Sequence, residues 1–137
     1  MTTPELQVLA LAGLLQAGQY VWLSVRANRE LGFGRTLGPR DPQRLGAPLE
    51  ALASPRTGRL YRALNNHFEG LILFTLAVVV LILGDKTTGL SAVFAWTYLA
   101  ARILYVPAYY FGLRPWRSLI WLVGFFATIA MIGLALV

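Results

Sequence analysis

Cysteine is absent from the 137 residues, which excludes a disulfide framework, a protein thiolate nucleophile and a zinc–thiolate centre. Histidine occurs once, at His67, so a multi-histidine metal site is not expected either. Charge is scarce: 13% of the residues are charged, against about 25% in soluble domains. Lysine is almost missing, with Lys86 alone beside eleven arginines, and there are only six acids. What fills the chain is apolar, 57% of it, and it comes in long blocks rather than scattered. These features point to an integral membrane protein of a single domain, residues 1–137. The net charge of +6 would suggest nucleic acid on a soluble protein. On a membrane protein it is the ordinary mark of topology, basic residues staying on the cytoplasmic side, and no nucleic-acid partner is expected. The preference for Arg over Lys, with abundant Ala, Gly and Leu, points to a GC-rich genome.

Four apolar spans follow in order. The first covers residues 6–26, and the short segment before it carries no positive charge, so it does not read as a cleaved signal peptide. Some twenty apolar residues suffice to cross ~30 Å of hydrocarbon as a helix. Gln16 and Gln19 lie on the face of this span that leads through Leu23 to Arg26; they either bond to neighbouring helices or line a polar cavity. Residues 27–54 are rich in Gly, Pro and Arg and have no sustained helical periodicity, so they read as a long cytoplasmic loop. Ser54-Pro55 has the form of an N-cap with proline at the first helical position, opening a second span at 57–83. A polar turn, Gly84 to Gly89, leads to the third span, 90–111, which contains Pro107. The fourth, 116–136, follows a turn with Gly112, Arg114 and Pro115. The fold class expected is all-α, a four-helix transmembrane bundle. The arginines of the first loop and Arg114/Arg117 fall on one side, which the positive-inside rule makes cytoplasmic.

The second span carries a polar stripe. Arg62, Asn66 and Glu69 are four and three residues apart and so share one helical face. The third span carries Tyr98, Arg102, Tyr105 and Tyr109 at spacings of four, three and four. The tight turn between the spans makes them antiparallel neighbours, so depth can be counted from it. Glu69 lies fifteen residues before Gly84, roughly 22 Å, and Arg102 thirteen after Gly89, roughly 20 Å. An ionised group at mid-bilayer costs on the order of 2.5–3.5 kcal/mol, so Glu69 and Arg102 are expected to pair. That pair could simply hold the bundle together. With Arg62, Asn66, Tyr105 and Tyr109 at matching depths, the alternative is a polar cavity open to the cytoplasm and rimmed by Arg26, Arg62 and Arg117. Such a cavity would be cationic and would suit an anionic small molecule, since arginine presents fixed donor forks to carboxylates. His67 points away from the stripe and reads as structural.

These residues are recognisable. Arg62-Ala63-Leu64-Asn65-Asn66-His67-Phe68-Glu69 resembles the RA-x-x-N-x-x-E signature of the MAPEG family (membrane-associated proteins in eicosanoid and glutathione metabolism). Arg102-x-x-Tyr105-x-x-x-Tyr109 and Leu113-Arg114-Pro115-Trp116-Arg117-Ser118 are similar to that family too, and the resemblance extends over essentially the whole chain. It implies a homotrimer, here expected in a bacterial inner membrane, with glutathione held between subunits near the cytoplasmic side. It implies that Arg26 comes from a neighbouring subunit, that Arg62, Asn66 and Glu69 hold the peptide, and that Arg102, Tyr105 and Tyr109 belong to the same site. Arg117 and Ser118 would stand near the glutathione sulfur as the catalytic pair. The activity implied is glutathione-dependent transferase or peroxidase chemistry on lipophilic electrophiles or lipid hydroperoxides. The alternative within the family is a non-catalytic protein that binds or presents a lipid. A small multidrug-type transporter, the third class with four spans and a buried glutamate, usually carries that glutamate in the first span. Asn65 stands where eukaryotic members often have a basic residue.

Overall fold

The computed structural model describes residues 2–137. Among them the regular elements are all helical: α1 (Pro4–Leu31), α2 (Phe33–Thr36), α3 (Pro42–Leu45), α4 (Leu49–Leu52), α5 (Pro55–Leu83), α6 (Gly89–Tyr110) and α7 (Trp116–Leu136). The four long helices are each long and apolar enough to cross a membrane. Local chemistry sets their starts. Thr3 Oγ1 accepts from Leu6 N ahead of Pro4, and Ser54 Oγ accepts from Thr57 N ahead of Pro55. Thr88 and Ser91 bond reciprocally in a capping box. Each cap satisfies amide groups that have no partner inside their own helix.

α1 and α5 contain 28 and 29 residues, about 42 Å and 44 Å of helix, more than the hydrocarbon needs. The excess of both lies at the loop end. There α1 runs past the apolar window to Leu31, and the segment expected to lack helical order contains three single turns, α2 to α4. One side chain ties this end together. Glu30 accepts from Ser54 N at 2.8 Å, Ser54 Oγ at 2.9 Å and Thr57 Oγ1 at 2.6 Å, and pairs with Arg26 at 3.0 Å. The end of α1 is thereby clamped to the start of α5, so the loop between them closes on a fixed base.

In the apolar half the helices meet on small side chains. Ala12, Ala77, Ala95 and Ala127 are buried there with Val8, Val78, Leu81 and Met131. In lipid, where water does not drive helices together, such residues let backbones approach and maximise dispersion contact. Phe74 and Tyr98 stack in this core at 4.0 Å with planes 3° apart. The apolar residues left exposed, among them Leu14, Ile72, Val93, Leu104 and Phe126, lie on the outer faces of the four long helices, suited to lipid or to a neighbouring subunit.

Two groups of buried polar side chains lie away from the Arg62/Glu69 stripe. Gln16 on α1 bonds His67 Nδ1 on α5, and Gln19 is buried one turn further along. His67 thus faces α1, away from the Arg62/Glu69 stripe, as its helical position requires. At the opposite end of the bundle Glu5, in the short segment before the first expected span, is 1% exposed and accepts from Ser91 Oγ at the start of α6. The positive end of a helix favours a carboxylate there.

Candidate functional site

α5, α6 and α7 together build a groove in the loop half of the bundle. α5 contributes Arg62, Asn66 and Glu69 from one face, spaced by the helical repeat. α6 contributes Arg102, Tyr105 and Tyr109, and the first turns of α7 contribute Arg117, Ser118 and Trp121. Arg62 Nε donates to Tyr109 Oη at 3.2 Å, and the Arg117 guanidinium stands 4.9 Å from the Tyr109 ring centroid. Tyr109 therefore sits against two guanidinium groups and has Tyr105 edge-on at 5.5 Å. An aromatic face in contact with an arginine gains from cation–π attraction and limits where that arginine can point.

Three adjoining cavities, the two smaller each sharing lining residues with the main one, occupy the groove. The main one, about 450 Å³, is lined by Asn66, Tyr105, Tyr109, Arg117, Ser118, Trp121 and Leu122. A deeper chamber of about 140 Å³ shares Asn66 and Trp121 with it and adds Glu69, Gly70 and Arg102 among its walls. Towards the loop side a vestibule of about 240 Å³ is bounded by Arg59, Arg62, Arg114 and Arg117 around Tyr109. Four guanidinium groups at one mouth make it strongly cationic. Eight expected site residues thus border these adjoining cavities: Arg62, Asn66, Glu69, Arg102, Tyr105, Tyr109, Arg117 and Ser118.

Two expectations are corrected. Glu69 and Arg102 share the deeper chamber but do not pair; the one ion pair among the described residues is Arg26–Glu30. Arg102 instead donates to Asn66 Oδ1 at 2.9 Å, between the rings of Tyr98 and Tyr105, each 5.5 Å away. Glu69 borders that chamber with its side chain exposed. Equal depth was right, but depth does not determine rotation about the helix axis. The second correction concerns the rim. Arg26 does not meet Arg62 and Arg117 in the same chain, because α1 packs on the other side of α5. Its Nε donates to Thr57 Oγ1 at 3.1 Å, and it lines a cleft with Glu30, Ser54, Pro55, Arg56 and Arg59, of which only Arg59 also borders the vestibule.

Other residues enter that sequence spacing did not bring forward. Trp121 lies four residues after Arg117, hence on the same face of α7, and borders both main cavities. Arg59 lies three before Arg62 and reaches the carbonyl of Tyr110 at 3.3 Å; the i, i+3 rule could have found it. Asn65 turns instead towards α1, lining a cleft with Tyr20, Asn28, Arg40 and Tyr61.

A four-helix membrane bundle with a cationic, aromatic-walled groove opening at its loop end is the class of protein that these features define. The family model of the MAPEG family matches residues 8–137, nearly the full length, and the chain belongs to that family. No curated protein matches it.

Proposed function

We propose that the protein is a membrane-bound glutathione-dependent transferase or peroxidase acting on lipophilic electrophiles or lipid hydroperoxides. The observation that carries this proposal is the placement of Arg117 and Ser118 on the main cavity together with Asn66, Tyr105 and Tyr109. The donor set suits a tripeptide that is anionic overall and carries one ammonium. Arg62 and Arg117 offer guanidinium forks to carboxylates, Asn66 offers an amide, and Glu69 is a free carboxylate for the amine. A bound glutathione supplies the nucleophilic sulfur that this cysteine-free chain lacks. Arg117 stabilises the thiolate by its charge, and Ser118 donates a hydrogen bond to it; a nearby cation lowers a thiol pKa from about 8.5. Tyr109 holds the two guanidinium groups in place. The exposed apolar side of α7, including Leu122, gives a lipophilic substrate access from the bilayer.

In this proposal the active form is a homotrimer. Arg26 reaches the groove of a neighbouring subunit rather than its own, in keeping with its separation from Arg62 and Arg117 within one chain. The vestibule opens to the cytoplasm of a bacterial inner membrane. One observation favours the second possibility, a non-catalytic lipid-binding member: Asn65 supplies no cation and turns to the α1 side, leaving the groove one positive group fewer. The two are separated by giving the purified protein glutathione and a chromogenic electrophile. Glutathione-dependent product formation that is lost in Arg117→Ala supports the enzyme. Absence of any glutathione-dependent signal in the wild type, with retained binding of lipid, establishes the lipid-binding alternative.

A further inference from the structure

Arg102 is a buried cation whose hydrogen-bond partner is a neutral amide. It is 4% exposed, its Nη1 donates to Asn66, and no carboxylate lies within ion-pair reach. Yet Glu69 lines the same deep chamber. The Arg102 guanidinium occupies the space that a side chain at position 70 would take. A Cβ on Gly70 would stand 1.8 Å from Arg102 Nη2 and 2.7 Å from Cζ, whereas non-bonded carbon atoms settle at about 3.5–4 Å. No other glycine among the described residues has a neighbour so close.

We propose that Gly70 is a positioning residue that seats the Nη2 end of the Arg102 guanidinium against the α5 backbone beside Asn66 and so keeps the Glu69 carboxylate free. The groove then carries one uncompensated negative group at its deep end and the guanidinium groups of Arg62 and Arg117 towards its mouth. That pattern selects a ligand with an ammonium as well as anionic groups over one that is only anionic. This selection deepens the glutathione proposal and rests on it; the seating of Arg102 does not. An alanine at 70 is no burden to the helix, where it is a better former than glycine. Its methyl group displaces the guanidinium from Asn66, and the space available is the chamber that Glu69 lines, so the displaced cation closes on Glu69.

The seating is tested without ligand by labelling Glu69 with a water-soluble carbodiimide and an amine, read by peptide mass spectrometry. The wild type is expected to label readily, and Gly70→Ala about fivefold less, as a weak partly buried ion pair requires. Gly70→Ala/Arg102→Gln is expected to recover wild-type labelling, because no cation remains to neutralise Glu69. Poor labelling of the wild type, equal labelling of the wild type and Gly70→Ala, or a loss that persists in the double variant overturns the proposal. The selection is tested by equilibrium dialysis with glutathione and its N-acetyl derivative. The wild type is expected to favour the free amine by about tenfold, the worth of one charge-assisted hydrogen bond, and Gly70→Ala by less than about twofold. A wild type that does not discriminate overturns the selection. A wild type that binds neither thiol but labels as expected overturns the glutathione proposal and supports the seating of Arg102.

Discussion

Replacement of Arg117 by alanine removes the cation placed nearest Ser118 while leaving Asn66, Tyr105 and Tyr109 on the cavity. Two unit charges about 4 Å apart interact by about 4 kcal/mol at an effective dielectric of about 20. Arg117 is only half-buried, and solvent screening reduces this to roughly 1.4–2.7 kcal/mol, or about one to two pKa units on the bound thiol. The sign follows from which form the cation favours: it stabilises the thiolate, so its loss raises the thiol pKa and depletes thiolate at neutral pH. Arg62 remains, bonded to Tyr109, so the thiol is not expected to return fully to its free value. Ultraviolet difference spectroscopy across a pH series, with glutathione saturating, measures the thiolate directly. Conjugation of a chromogenic electrophile at neutral pH should fall by about tenfold, and by no more than about thirtyfold because the thiol pKa stays below its free value of about 8.5, in proportion to thiolate, and recover at high pH. Arg117→Lys keeps the charge and should retain most of the thiolate but less of the fixed geometry. A variant that binds glutathione with the wild-type thiolate pKa would refute the role given to Arg117.

Three further outcomes are expected. Glu30→Gln removes the charge from three hydrogen bonds and one ion pair at the base of the loop. With its partial exposure discounted, it should cost on the order of 2 kcal/mol, visible as a lower melting temperature and faster proteolysis within residues 32–53. Phe74→Ala empties a fully buried site stacked on Tyr98; a loss of about 3–5 kcal/mol is expected, and detergent unfolding monitored by tryptophan fluorescence measures it. The absence of native cysteine allows topology to be read without background. Gln43→Cys should react with an impermeant maleimide only from the cytoplasmic side, and Asp85→Cys only from the other; reaction of both from one side would contradict the single crossing by α5 that separates them.

Much of the architecture was legible along the chain because the bilayer imposes one-dimensional rules. Length and hydropathy specify where helices cross, Ser54-Pro55 and Thr88 mark where they begin, and the helical repeat puts Arg62, Asn66 and Glu69 on one face whatever the neighbours do. Depth counting likewise placed Arg102 and Glu69 at one level, and both do line one chamber. The partner chosen at that level was beyond such counting. It depends on a contact between α5 and α6 measured in tenths of an ångström, where Gly70 admits the guanidinium and Asn66 receives it. Nor could periodicity place Arg26, since only the packing order of the helices puts α1 on the far side of α5 from the groove. The loop turned on a single side chain: Glu30 gathers Ser54, Thr57 and Arg26 from positions far apart in sequence, and no local propensity encodes that meeting. The sequence by itself determined the membrane class, the crossings and the polar face, because each follows from the chain's own period and its solvent. Tertiary structure alone decided which charges remain free in the groove, because partner choice depends on how helices are rotated and how closely they approach.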